Sequence, residues 1–239
     1  AGGSETTGSN NVIIGQAGQA QLLTSDTVAV GDGALQTNTK SAKNTAIGRS
    51  ALRNLNHTSA TDAYNTAVGF NAGLSVTTGD QNTFVGGLSG DANTTGRNNA
   101  AFGYFSLSSN TTANENAAFG VNSLYLNTTG TANTAVGTYS LQNNTTASYN
   151  TAVGSNALHS NTTGEINVAI GRNAMYDNTT GANNVAVGLA ALTSNTTANQ
   201  NTAVGYQAVY TNTTGADNVG IGKDALYSNT TASNNTASP

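Results

Sequence analysis

Few residues in this chain could do acid–base or nucleophilic chemistry, and they do not converge. The 239 residues include eleven carboxylates, two histidines and no cysteine. His57 and His159 fall in different repeats, and the carboxylates are scattered. Catalysis of that kind needs groups brought together in a pocket, so the expectation is that the protein is not an enzyme. Neither an Asp-rich loop nor the GGxGxD nonapeptide of calcium-bound rolls is present, so no metal and no cofactor is expected. His57 stands alone in a loop, where solvation is the ordinary state. Lysine and arginine are sparse and the net charge is -4. A nucleic-acid groove needs clustered positive charge, so no nucleic-acid partner is expected. A membrane span needs about 18 apolar residues in a row. None occurs, and no membrane insertion is expected.

The residues that do recur at fixed spacing suit binding rather than catalysis. Tyr125, Tyr176, Tyr210 and Tyr227, with His159, share one phase of a 17-residue period. Such an aromatic stripe could stack on a glycan or on a partner chain, although tyrosine is also an ordinary half-exposed strand residue. Asn110, Asn127, Asn144, Asn178, Asn212 and Asn229 each open an Asn-Thr-Thr sequence, which is a glycosylation acceptor. The same tripeptide needs no sugar to explain it, since Asn bonds its own backbone and tolerates a left-handed turn.

The period behind these residues organises the whole chain. A glycine closing a short apolar run recurs at Gly15, Gly31, Gly48 and Gly69, and then every 17 residues from Gly69 to Gly222. Fixed short-period similarity marks a stack of repeats, each burying its apolar face on its neighbours. With the Asn before that run as position 1 and the glycine as position 5, position 4 is always β-branched or Phe. Position 3 is Ala or Gly except at Ile13 and Phe84. Position 9 is Leu in eight copies, with Met175 and Val209 as substitutes. A β-branched run closed by Gly predicts a short strand and a bend. The second apolar spot predicts a second short strand, and Asn-Thr-Thr-Gly a turn. Helical repeats need about 33 or more residues per unit. The fold class expected is therefore all-β, a parallel β-solenoid (β-roll) of about thirteen 17-residue coils. At about 4.8 Å per coil that makes a rod roughly 60 Å long. Asn at position 1, replaced once by Thr27, predicts a ladder of stacked amides.

One array spans 1–239. Coils 1–64 are irregular, with a loop insertion near 56–61, coils 65–234 are regular, and 235–239 is a broken terminal strand. Both ends fall part-way through a coil, so open coil ends are expected to stack on another copy or on flanking domains.

Alternation in a strand turns positions 2 and 4 to one side and position 3 to the other. Placing the β-branched column inside, against the position-9 leucines, turns Ala101, Ala118, Ala135, Ala152, Ala169, Ala186 and Ala203 outward. They would then form a flat self-association face. The alternative is that alanine faces a cramped interior.

The run Asn150-Thr151-Ala152-Val153-Gly154, with its variant at Asn167 to Gly171, resembles the head repeat of YadA-like trimeric autotransporter adhesins. The longer unit, through Ala-Leu to Asn-Thr-Thr-Gly, is similar to repeats in phage tail fibres and bacterial surface proteins. The resemblance covers nearly the whole chain and implies a left-handed β-roll, a homotrimer and surface attachment. The function expected is that of a structural subunit of an extracellular fibre or surface appendage, located at a cell or virion surface. The alternative is an adhesin head or tail-fibre segment that binds a host glycan or receptor. Ice binding ranks lower, because Val and Ala interrupt the position-2 threonines.

Overall fold

The computed structural model describes residues 8–18 and 24–238. The irregular coils expected over 1–64 and the broken terminal strand expected over 235–239 fall partly outside those residues. The chain is an all-β parallel solenoid of about 13 turns, with about 17 residues to a turn.

It comprises two compact units, Ala1–Asn116 and Ala117–Pro239. The first holds β1 (Val12–Ile14), β2 (Val28–Val30), β3 (Ser41–Ala42), β4 (Thr45–Ile47), β5 (Thr61–Asp62), β6 (Thr66–Val68), β7 (Thr83–Val85) and β8 (Ala100–Phe102). The second holds β9 (Ala117–Phe119), β10 (Thr134–Val136), β11 (Thr151–Val153), β12 (Val168–Ile170), β13 (Val185–Val187), β14 (Thr202–Val204), β15 (Val219–Ile221) and β16 (Thr236–Ala237). In each unit the strands of successive coils pair in parallel and in phase, as where Thr151 faces Val168 and Ala152 faces Ala169. Those in-phase pairs put like residues in columns along the stack.

The four residues inserted before β6 are absorbed without loss of register, since Thr45 still faces Thr66. The inserted segment leads into β5, which makes a second parallel pair with β3. The terminal strand β16 pairs with β15.

Burial reverses the expected facing of the strands. Position-3 residues from Ala29 to Ala203 are fully buried, and Ala101, Ala118, Ala135, Ala152, Ala169, Ala186 and Ala203 are among them. They line the coil interior and form no outer face. The position-4 column is the one turned outward, with Ile14 at 58% exposure and Ile170 at 40%. Volume explains the reversal. The position-9 residues Leu124, Leu141, Leu158, Met175 and Leu192 enter the same interior and are fully buried. So narrow a coil holds one large side chain per turn, and the strand opposite must offer a small one.

The position-9 residue lies in a run of tight turns, not on the second strand expected there. Its backbone is left-handed, with φ of 52° at Leu158 and 51° at Met175. That conformation costs a non-glycine residue about 1–2 kcal/mol. Fully burying a leucine returns about 1.5–3 kcal/mol, so burial wins. The position-5 glycine has a different duty. Gly171 has φ of 131°, and a Cβ there would lie 2.4 Å from the Gly188 carbonyl oxygen of the next coil.

Two asparagine columns join the coils. At position 1 the Oδ1 accepts the next coil's backbone N–H, as from Asn167 N to Asn150 Oδ1 at 2.9 Å. The Nδ2 closes its own coil instead, as from Asn150 to the Gly164 carbonyl at 2.9 Å. The purer amide ladder is at position 12. There Asn144 donates to Asn127, Asn161 to Asn144 and Asn178 to Asn161, over 2.8, 3.0 and 2.8 Å.

Candidate functional site

The aromatic residues at position 10 each follow a position-9 residue, which is fully buried at Leu124, Leu158, Met175 and Val209 and half-buried at Leu226 in the last coil. His159 stacks on Tyr176 with centroids 4.8 Å apart and planes 9° apart, and Tyr210 on Tyr227 at 5.2 Å and 6°. Coil spacing dictates this, because in-phase rings one coil apart meet face to face. Gln142 separates Tyr125 from His159, and Thr193 separates Tyr176 from Tyr210, so the stripe is a series of short stacks. Within a pair the rings cover each other's faces. A ligand would reach their edges and outermost faces only.

His159 is held further by Gln142, whose Oε1 accepts from Nε2 at 2.9 Å. Desolvation lowers its pKa below the usual histidine value, against the opposing pull of Asp177. Asp177 is pushed up by the same burial, partly offset by His159.

The acceptor asparagines do not offer glycan sites on the folded protein. Asn110, Asn127, Asn144, Asn178 and Asn212 are fully buried, and Asn229 is half-buried in the last coil. Their Nδ2 atoms are ladder donors, as where Asn144 also donates to the Ala147 carbonyl at 2.9 Å. A sugar on such a nitrogen would have to open the stack.

His57 is not solvated either. It is 8% exposed, and its Nε2 has no hydrogen-bond partner. Burial lowers its pKa, with Asp80 opposing and Arg97 reinforcing. A histidine whose pKa is lower folded than unfolded adds stability that is full above the unfolded value of 6.5 and is lost as pH falls through the folded one. The melting temperature of the first unit's transition is expected to fall as pH drops below about 6.5. Substituting His57→Gln should flatten that slope; an unchanged slope would rule out His57 as its source. Asp91, pushed up by burial against the Ser108 hydrogen bond, contributes with the opposite sign. Its stabilising term is full below 3.8 and is lost as pH rises through its raised value.

The inserted segment borders an open groove of about 750 Å³ in the first unit, lined by residues 24–26, 39, 40, 42, 43 and 59–62. Lys43 bonds Asp62 at 2.8 Å and the Tyr64 hydroxyl at 3.1 Å, and both raise its pKa above the lysine range.

The remaining candidate surface is the outward face of the three-residue strands. Position 2 carries Thr, Val or Ala, and position 4 Val, Ile or Phe. In the second unit Phe119, Val136, Ile170 and Ile221 are all exposed.

No protein-family model matches the chain, and no curated protein matches it. Among the described residues no group of three or more His, Cys, Asp or Glu is placed to hold a metal ion. Nor is any helix among them long and apolar enough to cross a membrane.

Sequence reasoning identified the columns but missed this outward face. The available signal was the pairing of alanine at position 3 with a large residue at position 9. Two large columns cannot share so small an interior.

Proposed function

We propose that the protein is a structural subunit of an extracellular fibre or surface appendage, and that it associates with copies of itself through the outward strand face. One observation carries this reading. Parallel sheets are nearly always covered on both faces, yet here the position-4 column of Val, Ile and Phe is exposed or half-buried on parallel strands, with Phe119, Val136 and Ile170 among the exposed members. Monomers rarely leave a long contiguous apolar patch uncovered. A second copy, carrying the same ladder at the same spacing, is the partner whose periodicity matches.

Stacking of coil ends is a second mode of association. Its support is the coil-to-coil contact itself, which is heterologous and therefore propagates when repeated.

Val136→Lys with Ile170→Lys puts two charges on the outward face at sites already 38% and 40% exposed. Their melting temperature should stay within a few degrees of the parent. Assembly is expected to be lost by negative-stain imaging and light scattering across a concentration series. Assembly by the variants at parental concentrations would place the contact elsewhere, and a parent monomeric throughout the series would refute self-association.

The second reading is an adhesin head or tail-fibre segment that binds a glycan or receptor. The Asn-Thr-Ala-Val-Gly run supports it through its resemblance to YadA-like heads, which also implies a left-handed coil and a homotrimer. A discrete trimer that never elongates would favour this reading over the fibre.

A further inference from the structure

We propose that the outward strand face of the second unit pairs with the same face of a second copy, across a two-fold axis running along its coil stack. This rests on the self-association proposed above and deepens it by fixing which coils meet and what makes them match.

Most charged residues of the second unit flank two of its strands, Glu165 and Arg172 about β12 and Asp217 and Lys223 about β15. In both coils the acid stands just before the strand and the base just after it. These charges are open. Glu165, Arg172 and Asp217 make no side-chain hydrogen bond or ion pair among the described residues, and Lys223 pairs only with its sequence neighbour Asp224, at 3.7 Å. The first unit differs, since Lys43, Arg49 and Arg97 each meet the carboxylate of another coil, on Asp62, Asp32 and Asp80.

A face with acid before and base after its strands is complementary to itself in one orientation. Turning a second copy about an axis along the coil stack reverses its strands and keeps its coils in step. Arg172 then faces the second copy's Glu165, and Lys223 faces its Asp217, with the reciprocal pairs alongside. Turning the copy about the strand direction instead sets acid on acid and base on base. A two-fold contact of this kind is isologous and closes on itself, so elongation is left to the coil ends. Between the charged coils lie β13 and β14, whose flanks are uncharged, and the exposed Ile170, Leu189, Tyr206 and Ile221 form an apolar centre. An apolar centre with a polar rim is the ordinary anatomy of a protein interface.

Backbone strain marks the same edge. Ile166, next to Glu165, has a left-handed φ of 57° and is 55% exposed. A β-branched residue is an outlier there. Leu158 recovers the cost of that conformation by burial inside the coil, whereas Ile166 has no such return in a lone chain. Tyr149, one coil earlier in the same column, is also left-handed and exposed. Strain persists where function holds it, and burial against a second copy supplies the missing return.

The test is sedimentation velocity on the whole chain across a dilution series, with a dimer expected as the smallest associated species. Arg172→Glu and Glu165→Arg each set like charges together and should raise the dissociation constant about tenfold or more. The double reversal, and an equimolar mixture of the two single variants, should recover parental pairing. Both residues are exposed, so melting temperatures should stay within a few degrees of the parent. Ile166→Asn suits the left-handed backbone. Its melting temperature at high dilution should be no lower than the parent's, while its pairing weakens about fivefold or more. Single reversals that pair like the parent, a double reversal that stays weak, a trimer as the smallest species, or unaltered pairing by Ile166→Asn would each overturn this arrangement and leave self-association standing. A parent monomeric throughout the series would overturn both.

Discussion

Phe84→Ala is expected to destabilise the first unit by about 3–5 kcal/mol, and leucine at both Gly73 and Gly90 is expected to restore most of that loss. Phe84 is the large exception in the alanine column, and it is fully buried. Its ring occupies space that leucine fills in other coils. Position 9 is glycine on both sides of it, at Gly73 and Gly90. A Cβ at Gly90 would lie 2.4 Å from Phe84 Cε1, and one at Gly73 would lie 3.0 Å from Phe84 Cδ2. Both glycines already have the left-handed backbone that leucine adopts elsewhere at this position, with φ of 59° and 56°. The coil interior therefore has a fixed volume that the two columns divide between them. Gly73→Leu with Gly90→Leu should destabilise by clashing with the ring, and Phe84→Ala alone by leaving a void. Only the combined variant should approach the parent. Denaturant unfolding of the four proteins measures the coupling. Additive losses would show that the two columns do not share one cavity.

Gly220 and Val209 show the same trade in miniature. A Cβ on Gly220 would lie 2.6 Å from Val209 Cγ2. These exchanges explain what can be read from the residues alone. The period, the parallel stack and the position-1 asparagines are repeated so often that local propensity and register agree, and the coil follows. The side of the strand that faces inward depends on the cross-section of a closed coil, and no single window of sequence contains it. Alternation allows both answers. Leu158 in a left-handed turn is equally hidden, since propensity argues against that backbone and only the free energy of burying the side chain outweighs it. His57 looks like a solvated loop residue in the sequence because the loop's fold over it is a tertiary fact. Asn110 to Asn212 differ in kind. The Asn-Thr-Thr motif does form turns, but in-phase stacking of identical turns also makes a ladder of their side chains.

That ladder gives the second large effect. Asn161→Asp is expected to cost about 3 kcal/mol or more at neutral pH, although Asp is as good a turn former as Asn. Asn161 Nδ2 donates to Asn144 Oδ1 at 3.0 Å and to the Gly164 carbonyl at 2.9 Å, and its Oδ1 accepts from Asn178 at 2.8 Å. A carboxylate keeps the last bond and loses the other two, placing a buried negative charge against two acceptors. The Gly164 carbonyl retains Asn150 Nδ2, so the Asn144 oxygen bears most of the loss. Protonating the introduced carboxyl would restore one donor. Its pKa must then be higher in the folded chain than in the unfolded one, and its stabilising term is full at acid pH and lost as pH rises. The parent and Asn161→Ala control for every other titrating group, since neither carries the new carboxyl. Thermal melts from about pH 4 to pH 8 should therefore show the deficit of Asn161→Asp, measured against the parent, shrinking towards acid. The deficit of Asn161→Ala should stay constant. If this side chain served only the turn, the aspartate variant would melt with the parent at every pH, and the ladder would contribute nothing to the stack.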